Sequence, residues 1–241
     1  MVITFVQNEI YKMNRLFVIE GVDGAGKSTQ IKLLRDFFSA KGYNCEYMHF
    51  PRTDSPYFGE LIARFLRGEF GALDQVDPYL VAMLYAGDRK DAAAQISDWL
   101  SSGKIVLLDR YTYSNIAYQC AKLNESSDQI KLMKWILSLE FGHFAIPEPG
   151  LNIFLDVPFA FAENNLTTAR TGDDRQYLNG SSDIHEESMT FQINVRMIYH
   201  KVAETDDRLA LIDCSNNNGE MLKPQQIFDL IINVLNERRL I

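Results

Sequence analysis

A nine-residue stretch near the start of the chain, Gly21 to Thr29 (GVDGAGKST), constrains its fold more than any other. Gly21, Gly26, Lys27 and Ser28 complete the pattern G-x-x-x-x-G-K-[ST], in which glycines let successive backbone N–H groups curl toward one anion. The pattern needs a strand before it and a helix after it, and both are written here. Leu16-Phe17-Val18-Ile19 is a short apolar run, and Ile31, Leu34, Phe37 and Phe38 recur at helical spacing. A helix starting there adds partial positive charge where the phosphates sit. Gly21, Gly24, Ala25, Gly26 and Thr29 are thereby expected to wrap the phosphates of a nucleoside triphosphate. Lys27 is expected to reach its β/γ end, and the Ser28 hydroxyl to hold Mg²⁺.

A chain of 241 residues, 46% apolar and 23% charged, is long enough for one large α/β domain with a full core. A formal net charge of −8 argues against general nucleic-acid or membrane-surface binding. Local arginines and loop amides can still hold a phosphate ligand in an acidic protein. Cys45, Cys120 and Cys214 are odd in number and far apart, with neither metal-ligand nor disulfide spacing, which fits a reducing cytoplasm. The richest apolar run, Leu151 to Ala162, is broken by Asp156 and Pro158 and is too short to span a membrane. The first residues lack the basic-then-apolar order of a signal peptide.

Residues 1–14 are loosely patterned and read as an extension before the first strand, or as a short extra strand from Val2 to Val6. Strands are expected at Leu16–Ile19, Cys45–Phe50, Ile105–Leu108, Leu151–Leu155 and Leu209–Ile212. Helices are expected at Pro56–Leu66, at Pro78–Ser101 with a kink near Gly87, and at Asn115–Lys122 and Gln129–Phe141. Two more are expected at Ile184–Ala203 and Pro224–Asn236. Thr167 to Ser182 is polar and glycine-containing and reads as a mobile loop. Strands alternating with helices imply a three-layer α/β/α fold around a five-stranded parallel sheet, one domain over residues 15–241. In such sheets ligands collect at the carboxyl ends of the strands. There the chain carries Phe50-Pro51-Arg52 after the second strand and Asp109-Arg110-Tyr111 after the third, an acid and arginines suited to an anion beside a magnesium ion.

With these motifs in view the chain resembles the thymidylate kinases, nucleoside-monophosphate kinases that phosphorylate dTMP with ATP. The resemblance rests on GVDGAGKST at 21–29, FPR at 50–52, Leu84 to Arg89, DRYTYSNIAYQ at 109–119, and Asp183-Ile184-His185-Glu186 after the loop. It implies that Asp23 contacts the dTMP 3′-hydroxyl, Arg52 the 5′-phosphate, and Tyr85 or the ring of Phe50 the face of thymine. Arg89 would bond its O4, Asn115 its polar edge, Arg110 the acceptor phosphate, and Tyr118 would crowd the 2′ position. Asp109 and Glu186 would help Ser28 organise Mg²⁺ or its water shell. Gly24 stands where some members carry a basic residue, so charge on the transferred group would be met by Arg170 or Arg175 in a lid at about 167–183. Pro149-Gly150 departs from the family's usual Pro-Asp. The resemblance also implies a homodimer.

Each residue has a plainer reading. Tyr85 and Tyr118 would serve equally as core aromatics. Arg89 beside Asp88 would serve as a solvated ion pair, Asp183 as the N-cap of the next helix, and His185 as a structural or exposed residue. For the whole chain the alternatives are a kinase for another nucleoside monophosphate or a deoxynucleoside on the same fold, and a non-catalytic nucleotide-binding switch. The last lacks support, because no Asn-Lys pair of a guanine-reading motif occurs anywhere in the chain.

Overall fold

A computed structural model describes residues 15–167, 177–178, 183–185 and 188–241. The expectations placed on residues 1–14, on most of the 167–182 loop, and on Arg170, Arg175 and Glu186 lie outside the described residues.

The sheet is five-stranded and parallel, in the order β2-β3-β1-β4-β5, with β1 Leu16–Glu20, β2 Cys45–His49, β3 Ile105–Asp109, β4 Leu151–Asp156 and β5 Leu209–Asp213. Every residue of β1, β3 and β4 is buried, as expected of central parallel strands covered on both faces. The edge strands β2 and β5 leave residues exposed. Register pairs Val18 with Leu108 and with Asn152. Glu20, Asp109 and Asp156, which end β1, β3 and β4, therefore sit at the same edge of the sheet. The larger core lies around Phe17, Ile19, Leu107, Ile153 and the inner faces of the helices; a second core around Val18, Val106 and Leu108 covers the other face.

The helices are α1 Lys27–Ala40, α2 Phe58–Leu66, α3 Pro78–Ser101, α4 Thr112–Cys120, α5 Ser126–Leu137, α6 Phe159–Thr167, α7 Met189–Ala203 and α8 Pro224–Glu237. Helix α3 starts where Asp77 accepts a hydrogen bond from the Tyr79 N–H, with Pro78 in its first turn, and it runs as one element through Gly87. A π-helical turn, Ser138–His143, continues α5. Several boundaries differ from the sequence reading, and one helix is added. Helix α4 begins earlier, at Thr112, because the N–H groups of Tyr111 and Ser114 find an acceptor in Glu20. Helix α7 begins at Met189, because Ser188 caps it by accepting from the Phe191 N–H. Helix α6 was not anticipated; it is only nine residues long and starts just after Pro158. Among the described residues, no helix is long and apolar enough to cross a membrane.

Candidate active site

The loop after β1 turns into α1 through Gly24 and Gly26, both at φ 80°, the left-handed region that glycine enters at little cost. Gly26 is the N-cap of α1, so the free N–H groups of that helix's first turn open where Lys27 and Ser28 begin it. The Lys27 ammonium folds back over the loop, donating to the carbonyls of Val22 at 3.3 Å and Gly21 at 3.5 Å. Burial and the neighbouring Arg110 lower its pKa, while Asp109, Asp23 and Glu20 oppose that shift.

This loop forms one end of a cavity of about 1130 Å³, spacious enough for two nucleotides. Its lining collects the predicted residues from across the sequence. The loop contributes Asp23 to Ser28, the end of β2 contributes Phe50 and Arg52, and α3 contributes Tyr85 and Arg89. Asp109, Arg110, Asn115 and Tyr118 come from the end of β3 and from α4, and Asp183 from the segment before α7. Gly21 and Thr29 lie in the same loop and helix without lining the cavity.

Arg110 is the hub. It follows β3 at φ 65°, an uncommon conformation for a side chain other than glycine. Its guanidinium donates to Asp23 at 2.6 Å, to the Tyr118 hydroxyl at 3.1 Å and to Ser114 at 3.2 Å. Tyr118 and Gln192 also donate to Asp23, at 2.8 and 3.0 Å. Burial opposes ionisation of Asp23, but Arg110 and Lys27 more than reverse this and hold its carboxyl far below the usual range. Behind Arg110, the buried Glu20 accepts from Ser114 at 2.5 Å and from Tyr199 at 2.9 Å. Burial raises the Glu20 pKa against those hydrogen bonds and Arg110.

After β2, Arg52 is tied to Asp88 of α3: its backbone N–H and Nε donate to the two carboxylate oxygens at 2.9 and 2.8 Å. Asp109 faces His49 at 3.4 Å. Burial would raise its pKa, but Lys27 and His49 lower it. The other oxygen of Asp109, Oδ1, is buried and has no hydrogen-bond partner among the described residues.

Arg89 and Asn115 are not solvated groups. Arg89 is 1% exposed and locked to Glu140 through Nε and Nη2, both at 2.6 Å; its neighbour Asp88 is committed to Arg52 instead. Burial disfavours the Arg89 charge, yet the paired carboxylate raises its pKa overall. Removing one partner of such a buried pair costs about 3–5 kcal/mol, because the other is left charged in a low-dielectric interior.

Asp183 does not cap the following helix. Its carboxylate accepts from the Tyr177 hydroxyl and the His185 N–H, at 2.7 and 2.8 Å. His185 is buried on the cavity wall, its ring 5.0 Å from that of Tyr118, and burial holds its pKa down at about 3. Gln119 also lines the cavity, with a buried Oε1 lacking a partner among the described residues. The sequence carried a signal for it, since Gln119 ends the DRYTYSNIAYQ stretch one residue after Tyr118. His49, Glu140 and Tyr177 carried none.

The comparisons with known proteins agree with one another. Residues 19–224 match the model of the family described as thymidylate kinase. The chain is 37% identical over 142 residues to a thymidylate kinase of Mycobacterium tuberculosis, covering 59% of this chain and 65% of that protein. It is 32% identical over 225 residues to a probable thymidylate kinase of Thermococcus kodakarensis, covering 91% of this chain and 98% of that protein. A human thymidylate kinase is 33% identical over 147 residues, 61% of this chain and 63% of that protein. A solved thymidylate kinase from Candida albicans superposes with a TM-score of 0.69 over 93% of this chain and 92% of that one; at 24% identity it speaks to the fold alone.

Proposed function

Because the chain belongs to the thymidylate kinase family, we propose that its cavity binds ATP and dTMP together and transfers the γ-phosphoryl group directly to the dTMP 5′-phosphate. The observation that carries this reading is the convergence of Lys27, Arg110 and Arg52 on one cavity that Arg89 and Asn115 also line. Three cations suit two facing phosphate chains, and a planar base needs a ring to stack on and fixed polar groups at its edge.

In this reading the loop amides and Lys27 hold the donor phosphates. Arg110, aimed by Asp23, Ser114 and Tyr118, holds the acceptor phosphate, with Arg52 fixed beside it by Asp88. Phosphoryl transfer then needs no covalent intermediate, since positioning and charge neutralisation account for most of the barrier lowering. Asp23 keeps its charge and presents oxygen toward a 3′-hydroxyl, while Tyr118, bonded to both Asp23 and Arg110, occupies space near the 2′ position. Tyr85 or Phe50 supplies the ring against the base, and Asp183 borders the same pocket. Arg170 and Arg175 retain, on the resemblance alone, the task of meeting charge on the transferred group.

The residues present fit Mg²⁺. A buried, ionised Asp109 with an unpartnered oxygen and an exposed Ser28 hydroxyl at the start of α1 are hard oxygen donors. Magnesium is commonly held by one or two such groups plus phosphates and water. When bound it would neutralise charge between the phosphates. On the same resemblance the protein is proposed to act as a cytoplasmic homodimer.

A substrate panel tests the reading. With ATP and Mg²⁺, dTMP is expected to give a far higher kcat/KM than dCMP, GMP or thymidine. Turnover of dCMP, GMP or thymidine far above dTMP would overturn it.

A further inference from the structure

Arg89 and Asn115, the proposed readers of the base edge, converge on one carboxylate set back from the cavity. Glu140 is fully buried on the π-helical turn after α5, a kind of helical irregularity often found at functional sites. It accepts from Arg89 Nε and Nη2 at 2.6 Å each, from Thr112 Oγ1 at 2.9 Å and from Asn115 Nδ2 at 2.9 Å. Asn115 Nδ2 also donates to the Ala82 carbonyl at 3.0 Å.

This arrangement fixes which way the Asn115 amide faces. Its nitrogen lies between two acceptors, and a flip would set the amide oxygen against a carboxylate and a carbonyl. The oxygen is then the atom left over, and it is buried without a partner among the described residues. Arg89, which lines the same cavity, has committed Nε and Nη2 to Glu140, leaving Nη1 as the nitrogen not engaged by that carboxylate. Held to one carboxylate, the two side chains would offer the base a donor from Arg89 and an acceptor from Asn115, which complements a pyrimidine whose C4 carbonyl accepts and whose N3–H donates. Cytosine reverses both, with an amino group at C4 and a bare N3. Each would meet its like, an unpaired arrangement that is costly in a buried pocket.

We infer that Glu140 is a positioning residue that sets the donor–acceptor polarity of the base pocket, and with it the preference for a 4-oxo over a 4-amino pyrimidine monophosphate. The inference rests on the reading of the cavity as a dTMP site.

The test is Glu140→Gln in the full chain, with kcat and KM measured for dTMP, dCMP and ATP. A carboxamide at 140 offers Asn115 either a donor or an acceptor and can no longer take both Arg89 nitrogens. The dTMP/dCMP ratio of kcat/KM is expected to fall about tenfold or more, through a higher KM for dTMP, with KM for ATP unchanged. A ratio that stays at the wild-type value, both substrates declining together, would overturn the inference by reducing Glu140 to a packing role. A second arm needs only wild-type protein: N3-methyl-dTMP, which lacks the N3 donor, is expected to bind at least tenfold more weakly than dTMP. Equal affinity would also overturn the inference. Wild-type protein that turns over another monophosphate and not dTMP would instead overturn the substrate reading beneath it.

Discussion

Replacing Gly59 by alanine should damage the acceptor site from a distance. Gly59 is buried in the first turn of α2, and a Cβ there would stand 2.0 Å from the Arg52 carbonyl oxygen and 2.5 Å from Ser55 Oγ. Ordinary carbon–oxygen contacts are about 3.3 Å or more, so the two segments must part by roughly 1 Å. The obstacle is backbone, and that carbonyl already accepts from the Ser55 N–H at 2.9 Å. Moving it therefore strains the turn that carries Arg52. Overpacking of this kind costs about 1–3 kcal/mol, partly offset by the roughly 1 kcal/mol that alanine gains over glycine in a helix. A net loss of up to about 2 kcal/mol corresponds to a Tm lowered by up to about 8 °C for a chain of this size. The kinetic effect should be larger. Arg52 is held within hydrogen-bond distance of Asp88, and a misplacement of about 1 Å at the phosphate-binding group proposed for it costs on the order of 10²-fold. Steady-state assays should show kcat/KM for dTMP down by about that factor, with KM for ATP unchanged. Gly142→Ala is the control, since a Cβ there meets nothing nearer than 3.9 Å; it should leave kinetics alone and add about 0.4–1 kcal/mol of stability at most. A Gly59→Ala enzyme with wild-type KM for dTMP and unchanged melting would refute the reasoning.

Three further outcomes are expected. Lys27→Ala should lower kcat by at least roughly 10²–10³-fold while melting near the wild-type temperature, because in the proposed reading it removes a donor to the β/γ-phosphates; near-normal turnover in the folded variant would refute that role. His185 has a folded pKa of about 3 against an ordinary 6.5, so between those values the unfolded chain binds more protons and stability rises with pH. Urea unfolding from pH 4 to 6 should show His185→Gln losing up to about 1.4 kcal/mol per pH unit of that slope, whereas parallel profiles would deny it. Lys122 has a buried Nζ with no hydrogen-bond partner among the described residues, 4.7 Å from the Phe65 ring centroid, and burial lowers its pKa to about 7 from 10.5. Lys122→Met should therefore be more stable than wild type at pH 7, by a margin that shrinks toward pH 10; a margin independent of pH would exclude the titration.

The sequence alone determined the sheet, because central parallel strands must be apolar on both faces and each was bracketed by helical spacing or turn residues. It also determined the phosphate loop, whose function depends on backbone N–H groups and two left-handed glycines within a single stretch. Arg52, Asp109 and Arg110 were legible for the same reason: each lies at the end of a strand, where a parallel fold assembles its ligands.

What the chain order concealed was pairing across it. Arg89 adjoins Asp88 in sequence, yet Asp88 holds Arg52, and Arg89 finds its carboxylate at Glu140, half a hundred positions away on a π-helical turn that no periodicity announces. Asp183 read as either a helix cap or a substrate contact, and Ser188 took the cap; His185 read as structural or exposed, and packing buried it against Tyr118. Such choices depend on which partner a buried charge or amide can reach once the helices have packed, an energy set by distance and desolvation that spacing along the chain does not encode. The sequence thus placed the glycine loop and the arginines at the strand ends; tertiary packing decided which buried carboxylate each arginine and amide reaches.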